Sequence, residues 1–141
     1  ALNKRLRVTP FLVPHRDEFS ETVGFRIDGP SQKILWLPDI DKWEKWETPL
    51  EKALKDVDVA YLDGTFFANG ELPGRDMSKI PHPFIAETMR RLKGQPDAVR
   101  AKVRFIHLTH TDPAHNPKST AAKAIRAAGF HVATQSERVD L

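Results

Sequence analysis

The chain has 141 residues, which suffices for one domain with a buried core but not for two. Its apolar fraction of 40% and net charge of +3 are ordinary for a soluble protein, and the scattered basic residues disfavour nucleic-acid binding. No cysteine is present, so any bound metal must be held by histidine and carboxylate, which suits zinc, iron or manganese. No apolar run approaches the ~18 residues of a membrane span, and we expect a cytoplasmic protein.

Hydrophobic patterning alternates along the chain between the strand period and the helix period. A strand-rich start followed by strand–helix–strand units predicts an α/β fold with a mixed sheet. In chain order the predicted elements are strands Leu6–Val13, Val23–Ile27 and Ile34–Leu37, a helical stretch Trp43–Lys55 interrupted by Pro49, strand Val57–Leu62, helix Pro83–Leu92, strand Val103–Leu108, helix Ser119–Ala128 and strand His131–Ala133.

Several of the predicted strands are apolar at nearly every residue, as in "ILWL", "VAYL" and "FIHL". Such runs are typical of strands that are buried on both faces of a sheet. Three modest helices are too few to cover both faces. We therefore expect helices on one face and another domain or chain on the other.

Four predicted strands each run into a residue that can bind metal or transfer a proton: His15, Asp39, Asp63 and His110. Open α/β sheets place their sites at the carboxyl ends of strands. Each residue alone has a plainer explanation, as a turn former, a helix cap or a structural histidine. Together they favour a functional site. His82, held between two prolines ahead of a helix, is either a fifth member or a solvent contact.

The other histidines of the chain have simpler interpretations. His107 alternates with Phe105 and Thr109, which favours packing over metal binding. His131 lies within a strand pattern and indicates a structural role. His115 lies in an Asn/Pro-rich turn, where we expect it to be exposed.

The motifs "PHRDEFSETVGFRI", "ILWLPDID", "VAYLDGTFF", "IPHPF" and "FIHLTHT", taken in this order, resemble the C-terminal half of a metallo-β-lactamase-fold protein. The resemblance runs from about Val8 to Leu141 and is strongest to the pyrroloquinoline quinone biosynthesis protein B group, with tRNase Z as a more distant relative. That fold is an αββα sandwich of two similar halves. The resemblance implies that this chain is one half, with its inner sheet face packed on the other.

The resemblance also implies roles for the strand-end residues. His15, Asp39 and His110 stand where that superfamily has metal ligands, with Asp39 bridging two ions. Asp63 stands where tRNase Z has its acidic residue, and His82 is its expected catalytic partner. The implied cofactor is zinc, two ions in the intact protein, with iron or manganese as the alternative.

The H-x-H-x-D-H motif that supplies most metal ligands in the superfamily is absent from these residues. "THTDPAH" imitates it with His110, Asp112 and His115, but lacks a second histidine two residues after the first. We therefore interpret residues 1–141 as a single domain, the C-terminal half of the fold, without the N-terminal half. The expected partner is that half, in the same gene or a companion chain, or else a second copy in a homodimer.

The resemblance favours part of a metal-dependent hydrolase, in which a metal-bound hydroxide attacks an ester, amide or phosphodiester of a small molecule or other substrate. One alternative is an iron-dependent cofactor biosynthesis protein of the pyrroloquinoline quinone type. Another is a non-catalytic half-domain that binds a partner through its exposed sheet. For the isolated chain we expect weak metal binding and no turnover.

Overall fold

The computed structural model describes residues 5–141, and six strands within them form one mixed sheet. The strands lie side by side in their sequence order. The first two pairings are antiparallel and the remaining three are parallel. Five strands therefore point the same way and only the second is reversed. The strands are β1 (Arg7–Val13), β2 (Thr22–Asp28), β3 (Lys33–Leu37), β4 (Val59–Asp63), β5 (Val103–Ile106) and β6 (His131–Val132).

Short helices connect the parallel strands. The last one begins after Ser119, whose hydroxyl accepts a hydrogen bond from the backbone N–H of Ala122 at 3.0 Å. It is followed by Gly129, whose φ of 84° is a conformation that favours glycine. The helices are α1 (Leu50–Ala53), α2 (Ile85–Arg91), α3 (Asp97–Arg100) and α4 (Thr120–Ala127), with 3₁₀ turns at Trp43–Lys45, Met77–Lys79 and Pro113–His115.

The main core lies between the helices and one face of the sheet. Alternate residues of the strands point into it, because side chains along a strand alternate between the two faces. The fully buried members include Leu37, Leu62, Val103 and Phe105 from strands, and Leu50, Ile85 and Ile125 from helices.

The opposite face of the sheet carries a smaller apolar cluster to which no described helix contributes. Its buried members are Ile34, Val59 and Tyr61, and the C-terminal residues Val139 and Leu141 pack against it. Other large apolar side chains remain exposed, and they include Leu12 at 65%, Val8 at 36% and Trp36 at 37%.

The α/β class, the mixed sheet and the placement of helices on one face are confirmed. All six strands fall within two residues of their predicted bounds, and Pro49 divides the predicted Trp43–Lys55 stretch into two short pieces. Helix α3 was not predicted, because its four residues are too few for a periodic signal. The end of the fifth strand was predicted two residues too late, because β5 ends at Ile106 and not at Leu108.

Candidate metal centre

The candidate site lies at the edge of the sheet where the parallel strands end. Strand β1 also ends at this edge, since two successive antiparallel pairings give it the direction of β3. His15 follows β1, Asp39 follows β3, Asp63 ends β4 and His107 follows β5. Sheet topology thus brings together residues that are as far as 92 positions apart in sequence.

Four of the residues form a tight donor group. Asp39, Asp63, His82 and His107 each offer an oxygen or nitrogen atom, and these atoms lie within 4.8 Å of one another. His15 lies beside the group, with its Nε2 3.3 Å from Oδ1 of Asp39. Two carboxylates and three imidazoles are thereby concentrated at one point of the sheet edge.

Asp63 and His82 make the contact that the sequence led us to expect. Nδ1 of His82 lies 2.8 Å from Oδ2 of Asp63, whose side chain is fully buried. Burial of the imidazole acts to lower the pKa of His82, but the hydrogen bond with Asp63 and the negative charges of Asp63 and Asp39 outweigh it and raise that pKa. The pair is therefore a histidine held and oriented by a buried carboxylate.

Thr65 links the Asp63–His82 pair to His107 through hydrogen bonds. Its backbone N–H and hydroxyl both donate to Oδ1 of Asp63, at 2.9 and 2.6 Å. The hydroxyl has one proton, so its contact with Nδ1 of His107 at 3.0 Å requires that ring nitrogen to be the donor. His82 must likewise donate from Nδ1, because an ionised carboxylate only accepts. In the neutral rings both histidines then present Nε2 as the lone-pair atom.

His107 occupies a position that the sequence analysis assigned to packing. The structure instead leaves it exposed and places it in the donor group. The strand ends one residue before it, and its φ of 63° is uncommon for a residue other than glycine. The backbone N–H of Thr109 then donates to the carbonyl oxygen of Thr65 at 3.1 Å, which fixes the turned chain. The signal that could have found His107 is the same strand-end position that selected the others.

Among the predicted metal ligands, Asp39 belongs to the donor group, His15 lies beside it, and His110 is not part of it. It lies in the exposed turn three residues after His107. The other four predicted site residues, His15, Asp39, Asp63 and His82, do converge. Their roles as ligands or catalytic groups, and the metal role of His110, remain predictions.

Two buried polar atoms at the site lack hydrogen-bond partners among the described residues. They are Nδ1 of His15 and Oδ1 of Asp39. Oδ1 of Asp39 is approached by His15 at 3.3 Å and by His82 at 3.4 Å, but neither approach has hydrogen-bond geometry. A buried carboxylate oxygen without a partner costs stability unless a cation or a donor compensates it. The residues therefore fit a divalent metal ion, and histidine with carboxylate is a donor set that zinc, iron and manganese accept.

Comparison with known proteins is consistent with this geometry. The beta-lactamase superfamily domain matches residues 1–134, and the chain therefore belongs to that superfamily. Among solved structures it is similar to Zn²⁺-bound PqqB from Methylobacterium extorquens, with a TM-score of 0.74 and 19% sequence identity. The match covers 96% of this chain and 50% of the PqqB chain, so this chain spans half the length of that structure.

The expected resemblance to the metallo-β-lactamase fold, in its PqqB-like form, is thereby confirmed. A search of curated proteins found no match. Within residues 5–141, no helix combines the length and apolar character needed to cross a bilayer.

Proposed function

We propose that this chain supplies half of the active centre of a metal-dependent hydrolase that acts on an ester, an amide or a phosphodiester. The observation that carries the proposal is the donor group at the sheet edge, together with the unpartnered Oδ1 of Asp39. A structural histidine cluster would be expected to satisfy its own buried polar atoms, and this one does not.

In this proposal His15 and Asp39 hold the metal, and an imidazole from the segment after β5 completes their set. A bound divalent ion supplies Lewis acidity and lowers the pKa of water from 15.7 towards ~7. Asp63 keeps His82 in one orientation and one tautomer. Nε2 of His82 then faces the reacting group, where it donates or accepts a proton.

The chain needs a partner to complete such a centre. A catalytic zinc has at least three protein ligands, and two ions need more than His15, Asp39 and one further histidine provide. We propose that the remaining ligands come from another half of the same fold, packed on the sheet face that carries Leu12 and Trp36. The mass of the native protein tests this, because a 16.0 kDa monomer with full activity would contradict it.

Metal titration of the purified chain tests the donor group itself. Calorimetry with Zn²⁺ should show weak binding, since the ligand set is incomplete. For the same reason, a separate assay should detect no hydrolysis of a phosphodiester substrate. Asp39→Asn should weaken that binding at least about tenfold, because it removes a charged donor while preserving shape. His131→Gln, which changes an exposed histidine outside the group, is the matched control. Equal affinity in Asp39→Asn and the native chain would refute the site.

The identity of the third ligand, a histidine after β5, and the identity of the metal are tested by two further comparisons. His107→Ala and His110→Ala should differ in Zn²⁺ affinity, and the variant with the larger loss identifies the ligand. The similarity to PqqB keeps a cofactor-biosynthesis role as the second candidate. Metal analysis of the native protein separates the two candidates, because the cofactor-biosynthesis candidate uses redox-active iron, whereas zinc has no redox chemistry and suits hydrolysis.

A further inference from the structure

A cleft of about 610 Å³ opens beside the candidate metal centre. His82 and Thr65 line the part nearest the centre, and the 3₁₀ turn Met77–Lys79 contributes to one wall. A cleft of this volume is large enough for a small organic molecule. A ligand in it would lie directly against the imidazole that we assign to proton transfer.

Four of the side chains that line the cleft are cationic, and two are acidic. The cations are Arg16, Lys45, Arg75 and Lys79, and the acids are Asp41 and Asp76. Four positive and two negative charges leave a formal excess of two positive charges.

Both acidic side chains are already engaged by neighbours. Asp41 accepts from the backbone N–H of Lys42 and from Nζ of Lys45, each at 2.6 Å. Asp76 accepts from the backbone N–H and the hydroxyl of Ser78, at 3.0 and 2.6 Å. The hydrogen bonds to Asp76 lower the pKa of its carboxyl group, and those to Asp41 occupy both of its carboxylate oxygens. Both carboxylates are therefore satisfied without the arginines.

Arg16 and Arg75 form no ion pair within residues 5–141, although both border the cleft. Arg16 directly follows the candidate ligand His15, and its positive charge acts to lower the pKa of His82. Both side chains are exposed and free to turn towards a ligand. A guanidinium presents a planar fork of donors that matches a carboxylate or a phosphate.

The segment that carries Arg75 is anchored to the body of the protein. It belongs to the long connection between β4 and α2, which forms its own apolar cluster from Phe66, Met77, Ile80 and Phe84. The backbone N–H of Arg75 donates to the carbonyl oxygen of Leu72 at 3.3 Å. The backbone that carries this guanidinium is thus ordered before a ligand binds, so binding costs the freedom of the side chain but not that of the segment.

We propose that this cleft binds an anionic group, a carboxylate or a phosphate, through Arg16 and Arg75. The inference that the anion is part of the substrate rests on the proposed function. The anion site itself does not depend on that function. The proposed hydrolase would then act on a molecule that carries its negative charge beside the bond to be broken.

Ligand binding to the metal-free chain, stripped with EDTA and then exchanged into EDTA-free buffer, tests the anion site without relying on metal or turnover. The probes are benzoate, phenyl phosphate and the neutral analogue benzyl alcohol, each titrated while arginine Nε–H and backbone amide NMR signals are recorded. We expect both anions to bind, with shifts at Arg16 and Arg75, and benzyl alcohol to bind at least tenfold more weakly. Whichever anion binds tighter identifies the preferred group.

The double variant Arg16→Gln/Arg75→Gln should lose about tenfold or more in anion affinity, since two charged donors are removed. Arg138→Gln removes the same charge from an exposed position outside the cleft and should bind as the native chain does. Equal anion affinity in the double variant and the native chain would overturn the proposal. An equal loss in Arg138→Gln, or no anion binding at all, would also overturn it. Failure of metal binding in the separate titration would refute the hydrolase and leave the anion site standing.

Discussion

Thr65→Val is the substitution that most directly tests how the candidate centre is organised. Valine nearly matches threonine in size but has no hydroxyl, so the change removes hydrogen bonds with little change in packing volume. Thr65 is 5% exposed, and water cannot readily replace the lost hydroxyl. The backbone N–H of residue 65 still donates to Oδ1 of Asp63, so that carboxylate keeps one of its two donors there.

The size of the effect follows from the bonds that are lost. The 2.6 Å bond to Asp63 is a hydrogen bond to a charged group, worth about 1.5–3 kcal/mol. The 3.0 Å contact with His107 adds a neutral bond of about 0.5–1.5 kcal/mol. Because exposed His107 regains water contacts, we expect a total loss of about 2–3 kcal/mol in the free energy of unfolding. For a chain of this size that corresponds to a fall of about 6–12 °C in Tm.

Urea denaturation of the native chain, Thr65→Val and Thr65→Ser measures this loss. Thr65→Ser keeps the hydroxyl and should recover most of the stability. Long-range ¹H–¹⁵N NMR provides a second readout that a general packing defect would not produce. In Thr65→Val, His107 should lose its fixed Nδ1–H tautomer while His82 keeps it through Asp63. A valine variant as stable as the native chain, with the His107 tautomer unchanged, would refute our assignment of Thr65 as the connecting residue.

Two further changes test the burial and packing around the site. Burial, with a contribution from Glu71, raises the pKa of Asp112 to about 6. Between about pH 4 and pH 6 the folded chain therefore binds more protons than the unfolded chain, and its free energy of unfolding should fall as the pH rises through this range. Asp112→Asn should abolish that part of the decline, on the order of 2 kcal/mol, in urea titrations at successive pH values. Gly64→Ala should destabilise the fold by about 1–3 kcal/mol in thermal melts, since the added Cβ would lie 2.9 Å from Cβ of Phe105 and 3.0 Å from the carbonyl oxygen of Ile106.

These two predictions have clear controls. An unchanged pH profile in Asp112→Asn would show that the buried carboxyl is not the titrating group. For the glycine, Gly94→Ala is the matched variant, because a Cβ there meets no atom within 4 Å and should change stability by less than about 0.5 kcal/mol. If Gly64→Ala behaves like Gly94→Ala, the close approach of β4 to β5 at this point is not as the structure describes.

The sequence alone was sufficient to predict the six strands and their α/β arrangement, and it placed His15, Asp39 and Asp63 at strand ends. Strand patterns are local, since they depend on side chains two residues apart, and a residue that follows a strand is recognisable without knowing the strand's neighbours. The positions of His15, Asp39 and Asp63 relative to their strands were therefore available from the sequence. The convergence of these residues follows from a general property of parallel strands.

Only the tertiary structure decided the composition of the donor group. The sequence left His82 between two interpretations, and the structure places it in the donor group, against the buried carboxylate of Asp63, 19 residues away. His107 was assigned to packing on the assumption that the strand continues to Leu108. The strand ends at Ile106, so the alternation of side chains along a strand no longer applies at His107. The strand stops at Ile106, and the chain beyond it turns so that the backbone N–H of Thr109 donates to the carbonyl oxygen of Thr65, a contact across 44 residues that no local pattern contains.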